Sequence, residues 1–238
     1  MTKESTVYTR NTIFGMLMVF IIVHIGFHAT YIQYFPNFNE FTWLHHIHGA
    51  LMASWVFLLV LQPVLIYKRK FAAHRFLGKL SYVIAPLMVI SMLIIARVSY
   101  HKWVGEFGSV EVFSWQSVTW MQLLIFVLFY SLAIFYKKDT FRHMRFMIGT
   151  AIIMVGPSLS RILNEYLDTS LEVDFELIPL YFKTGLAAAL LTSDIIKKKD
   201  WMPYSVVLLA FLVADLVYYA RYSEAWQSFG RVVVQLLY

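Results

Sequence analysis

Five of the chain's eight histidines fall in one stretch: His24 and His28, then His45, His46 and His48. On helices, His24 and His28 share one face, and so do His45 and His48, the latter pair together with Met52 and Trp55. Imidazole nitrogen is a general ligand for zinc, copper and iron, and three or four ligands on neighbouring helices suffice for a site. His24, His28, His45 and His48 are therefore candidate metal ligands, for a zinc or copper ion or a non-haem iron pair. Haem b asks for one or two axial histidines on facing helices. His28 with His48 is the best-placed pair, with Arg97 or Arg161 to hold propionates. A two-haem cytochrome would want a second pair in the inner half of the same segments, and the sequence has none there. With zinc, a bound water of lowered pKa would attack an ester or amide of a lipid-like substrate, with Glu165 or Asp215 as candidate catalytic base. With iron, electron transfer or oxidation is the expected chemistry. The plain alternative stands beside these: an imidazole is comfortable at a membrane interface, and a buried one is satisfied by a backbone carbonyl or by a carboxylate such as Asp215. His46 points away from the shared face and reads as an interface residue.

Positioning these groups falls to a set of apolar helices. The 238 residues are 60% hydrophobic and only 14% charged, where a soluble domain carries about 25%. Mean hydropathy is +0.64. Apolar runs recur, each long enough to cross a hydrocarbon core of roughly 30 Å as a helix. The pattern predicts an all-α integral membrane bundle, a single domain over 1–238, with seven spans: Thr12–Tyr34, Trp43–Tyr67, Arg75–Tyr100, Trp115–Tyr136, Phe141–Asn164, Leu177–Ile196 and Pro203–Tyr222. The first is too long for a signal-peptide core and is read as retained. The absence of cysteine excludes disulfides, thiolate zinc sites, iron–sulfur clusters and thiol catalysis. The net charge of +6 sits in short loops between spans, so it is a topology signal and not a nucleic-acid footprint.

"YKRKFAAHRFLGK", "YKKDTFRHMR" and "IIKKKD" are strongly basic, whereas "FPNFNEF" and "NEYLDTSLEVDFE" are acidic. Lys and Arg mark the cytoplasmic side, which places the N-terminus inside and the C-terminus outside in a bacterial inner membrane. On that frame His28 and His48 lie roughly 10 Å below the outer interface, and His24 lies deeper. Arg161 and Asp215 lie roughly 10–15 Å deep. Glu165 is one turn further out, and Arg97 and His101 close the third span on the same side. The tail from Ser223 reads as an amphipathic helix on the outer membrane surface. "HRFLGKLSYVIAP" and "HMRFMIGTAIIMVGP" open the third and fifth spans with the same order of His, Arg-Phe, Gly and Pro, which suggests a duplicated hairpin, spans two-three and four-five. Pro86 and Pro157 fall at equivalent positions and should kink their helices. The basic groups His74, Arg75, Lys79, Arg142, His143 and Arg145 line the inner interface. Their default work is topology, with a lipid-headgroup or phosphate pocket of His74, Arg75, His143 and Arg145 as the functional alternative. Asp194 is placed to neutralise one of these arginines. Ser158 and Ser160 lack the Gly-x-Ser-x-Gly elbow of a serine hydrolase.

"HHIHGALMASWVFLLVLQPVLIYKRKFAAHRFLGKLSYV" and "KKDTFRHMRFMIGTAIIMVGPSLSRIL" resemble the signature blocks of a family of bacterial integral membrane proteins, the predicted membrane protein family 2306, catalogued as a domain of unknown function. The positions that match are His48, His74, Arg75, Gly78, His143, Arg145 and Arg161. "HMRFMIG" departs from the family, which more often has a Trp before the Met. The resemblance covers about the middle half of the chain and implies a helical membrane bundle with no established chemistry. Three functions follow as expectations: a periplasm-facing metal or haem site, a non-enzymatic subunit or scaffold of a membrane complex working with other membrane subunits, and a small-molecule or proton-coupled transporter.

Overall fold

The computed structural model describes residues 3–167 and 174–238, and all regular structure among them is helical. The helices are α1 (Lys3–His28), α2 (Trp43–Tyr67), α3 (Phe71–Gly78), α4 (Ser81–Trp115), α5 (Ser117–Phe135), α6 (Thr140–Tyr166), α7 (Leu177–Ile196), α8 (Met202–Tyr219) and α9 (Glu224–Leu237). A single 3-10 turn, Ile32–Tyr34, follows α1. Two compact units divide the chain: 1–88 with 150–179, and 89–149 with 180–238. The division falls within α4, α6 and α7 and not at linkers.

Among the described residues, five helical stretches are long and apolar enough to cross a membrane: Tyr8–His28, Trp43–Tyr67, Phe71–Phe135, Thr140–Tyr166 and Met202–Tyr219. The third runs for 65 residues. A straight helix of that length would measure roughly 98 Å, about three hydrocarbon cores, so it cannot be one crossing. It is divided instead. Lys79 and Leu80 separate α3 from α4, and Gly108, at φ 79°, breaks the helical backbone inside α4. The loop expected between the third and fourth spans is thus helix, interrupted where only a glycine adopts the required backbone at no cost. The helix α7, expected as the sixth span, is not among the five, since Lys183 and Asp194 dilute its hydropathy.

The surface carries many large hydrophobic side chains over a core that is itself mostly apolar. Along α4 the exposed stripe is Val83, Leu87, Ile90, Ile94 and Val98, while Ser81, Ala85, Met88, Ser91 and Ala96 are buried. Along α8, Leu209, Leu212 and Leu216 are exposed and Asp215 is buried. Large aliphatic side chains outside with small and polar ones at helix contacts is the arrangement lipid selects.

In the first unit, α1 packs on α2. Close approach in this unit is set at Gly26, where a Cβ would lie 2.7 Å from the Ser158 Cα of α6. In the second unit, the tail forms the amphipathic helix expected of it, α9, and that helix also packs on the protein. Its apolar face buries Trp226 and Val233 against Phe113 and Trp120. Beneath it, Gln227 Nε2 donates to Ser114 Oγ (2.9 Å) and to the Arg221 carbonyl (2.8 Å), so its buried amide is satisfied.

Candidate functional site

The clustered histidines find separate partners. His24 is exposed and its Nδ1 faces the Phe20 carbonyl of the preceding turn at 2.9 Å. His28 is exposed. His45 caps its own helix: its Nδ1 accepts from the Thr42 N–H at 3.2 Å and sits 2.9 Å from Thr42 Oγ1. That arrangement puts the ring proton on Nε2 and occupies the nitrogen a metal would otherwise use. His46, read from the sequence as an interface residue, is the polar centre of an aromatic cap. Tyr31 Oη lies 2.5 Å from its Nδ1, and Phe38, Phe41 and Trp43 surround the ring. No group of three or more His, Asp or Glu is arranged to hold a metal ion among the described residues. The set His24, His28, His45 and His48 is therefore not gathered by the fold into one coordination sphere.

What the fold does gather in the first unit is an arginine site. Arg161 lies on α6, one turn after Pro157, and is half-buried. Its Nη1 donates to the Pro157 carbonyl at 2.9 Å, and its guanidinium lies 4.3 Å from the centre of the Phe27 ring. Both His48 and Glu176 are within electrostatic reach of it. The Glu176 carboxylate, however, is engaged by Ser160, whose hydroxyl donates to Oε1 at 2.5 Å. No carboxylate lies within ion-pair distance of Arg161 among the described residues. A half-buried guanidinium offered one carbonyl and one aromatic face still has donors to give, and Arg donors in a planar fork suit carboxylate and phosphate oxygens. Ser158, whose backbone Gly26 packs against, donates to Met154 O in its own helix at 3.1 Å, so it is not arranged as a nucleophile.

In the second unit the arrangement is different. Arg145 is fully buried and bonds Asp194 through two nitrogens, Nε–Oδ2 2.5 Å and Nη2–Oδ1 2.7 Å. It cannot serve the headgroup pocket expected for it: its charge is spent on Asp194, the carboxylate the sequence placed near it. His143 Nδ1 faces the Ala133 carbonyl at 2.8 Å, so it too is held within the fold. Arg142 bonds Asp200 at 2.6 Å. Asp215, one turn before the C-terminal end of α8, accepts from Thr184 Oγ1 at 2.6 Å. Lys183, 3% exposed, lies beside it. Arg97 and Glu165 are exposed. His101 Nε2 lies 3.2 Å from the Tyr238 carbonyl.

Of the basic residues at the α2–α3 junction in the first unit, Arg75 is exposed and His74 is held. With the Gln62 amide turned to satisfy both its ends, its nitrogen donates to His74 Nδ1 (2.5 Å) and its oxygen accepts from Gly78 N (3.3 Å). This ties α2 to α3.

Sequence reasoning missed Glu176, Lys183 and Thr184. Lys183 had a usable signal, since it is a lone cation in an otherwise apolar stretch of α7. Comparison of the chain with family models, curated proteins and solved structures gives no match, so the site is read from its own geometry.

Proposed function

We propose that the chain is a seven-span bacterial inner-membrane protein, N-terminus inside and C-terminus outside, whose outer half binds an organic anion at Arg161. Several features support seven crossings. The 65-residue run counts as two spans, which brings the five apolar stretches to six. Helix α7 makes the seventh, because its two charges, Lys183 and Asp194, are both 3% exposed and leave its outer surface apolar. The alternation of basic and acidic loops supports the orientation. The family resemblance agrees with such a bundle.

The observation that carries the function is the state of Arg161: half-buried, resting on Phe27, and without an ion-pair partner among the described residues. An ionisable group at that depth is costly unless a ligand or a wet cavity meets it. The ligand class is a carboxylate- or phosphate-bearing small molecule, and the task is binding or transfer across the membrane. His48 lies within electrostatic reach of the same guanidinium, and the Glu176 carboxylate nearby accepts from Ser160.

The test is thermal or chemical unfolding of the protein in mild detergent with a panel of dicarboxylates and phosphate esters, at constant ionic strength. A ligand at 100 times its Kd should stabilise the wild type by about 2.7 kcal/mol, and Arg161→Gln should abolish the effect. Stabilisation by none of the anions, or by the same amount in Arg161→Gln, overturns the reading in favour of a scaffold. Elemental mass spectrometry on the same preparation decides the competing expectation. Stoichiometric zinc, iron or copper lost in His48→Ala would restore the metal or haem site.

A further inference from the structure

Helices α7 and α8 run antiparallel in the second unit and are joined by two polar rungs. The outer rung is Tyr181 of α7 with Tyr219 of α8, hydroxyl to hydroxyl. Both rings are exposed, at 51% and 58%. One turn further in on each helix lies the second rung, Thr184 Oγ1 donating to Asp215 Oδ2 at 2.6 Å. Lys183, next to Thr184, is 3% exposed, and its ammonium is 5.9 Å from the centre of the Phe211 ring. The next turns inward are apolar and closed: Ala187 on α7 and Phe211 and Val207 on α8 are between 0% and 2% exposed. The ladder is thus open at its outer end and ends at Asp215 and Lys183.

A carboxyl group placed in this way has a specific capacity. Thr184 holds Oδ2, so Oδ1 is the oxygen to which a proton bonds, and the Thr184 hydrogen bond survives that event. The proton comes from a hydronium ion at the outer surface, and the Tyr181–Tyr219 hydroxyl pair lies between that surface and Asp215 along the two helices. Asp215 changes from charge −1 to neutral, and the water left behind returns to bulk. The charged or titratable groups acting on Asp215 are Lys183 and Tyr181 from α7, with Tyr219 one turn away in its own helix. From α5 the neighbour of this column is apolar, Phe129, whose ring centre is 5.7 Å from that of Phe211. We infer that Asp215, with Thr184 and Lys183, forms a proton-binding site open to the outer face only, reached through Tyr181 and Tyr219. Its sidedness rests on the orientation proposed above, whereas the site itself does not. It is independent of Arg161.

The test is infrared titration of the protonated-carboxyl band in three proteins: wild type, Asp215→Asn and Thr184→Val. In detergent, acidification should raise a carboxyl band in the wild type that is absent from Asp215→Asn. In Thr184→Val the band should persist at higher frequency, because the acid has lost its hydrogen-bond donor. An identical band in wild type and Asp215→Asn overturns the site. So does a band that Thr184→Val leaves unmoved, a result that remains readable if Asp215→Asn does not fold. In vesicles with the C-terminal side facing out, external acid alone should raise the band. A band that follows internal acid alone overturns the sidedness and leaves the site standing.

Discussion

The Arg145–Asp194 pair gives a demanding prediction. Asp194→Asn keeps the shape of the side chain and removes its charge, leaving a fully buried guanidinium facing a neutral amide. In the native fold that guanidinium makes two bonds to the carboxylate, donates to the Phe141 carbonyl at 3.2 Å, and lies 3.3 Å from the centre of the Phe141 ring. Side-chain exposure is 0% for Arg145 and 4% for Asp194, so water cannot replace the lost charge. Unit charges about 4 Å apart at an effective dielectric of about 20 interact by about 4 kcal/mol. Removing one member of a buried pair costs about 3–5 kcal/mol by mutational experience. The two estimates agree, and at about 1.4 kcal/mol per decade they lower the folding equilibrium constant by roughly two to three and a half powers of ten. The assay is equilibrium unfolding in mixed micelles. The double variant Arg145→Met, Asp194→Leu should recover most of the loss, because an apolar replacement removes both desolvation costs. A loss below about 1 kcal/mol in Asp194→Asn, a value typical of exposed pairs, would refute the claim that this pair is a buried lock between α6 and α7.

Two glycines of α1 should separate cleanly. A Cβ at Gly15 would have nothing within 4 Å, so Gly15→Ala should stabilise by up to about 1 kcal/mol through helix propensity, whereas Gly26→Ala meets the Ser158 backbone and should cost about 1–3 kcal/mol by unfolding in detergent. Gly230→Ala drives a methyl group into the Phe113 ring and should undock α9, read as a rise in protease cleavage between Tyr222 and Glu224. Burial tends to raise the Asp200 carboxyl, but hydrogen bonds from Arg142 and the Met202 N–H outweigh it and hold the group below the ordinary carboxylate range. A lowered folded-state pKa contributes stability that is complete above the unfolded value and is lost as pH falls through the folded one. Stability should therefore drop on acidification through that window, and Asp200→Asn should flatten that part of the pH profile.

Much of this protein was legible in its sequence because hydrophobicity and periodicity are local. Trp43–Tyr67 and Leu177–Ile196 have the same bounds in the sequence reading and in the fold, since an apolar run flanked by charge specifies a helix without reference to anything else. The nearness of Asp194 to one of the clustered arginines was legible for a related reason: a buried charge demands an opposite one, and few were on offer. The histidine cluster was not legible, because sequence spacing gives depth along a helix but not azimuth about the bundle. His45 turned to Thr42 and His46 to Tyr31, while Arg161 and Glu176, which no spacing rule relates, came within reach of each other. Which of several costly polar groups meet is decided by how the helices rotate about their axes. That rotation is set by packing over whole faces, as at Gly26 on Ser158, and only the tertiary structure contains it.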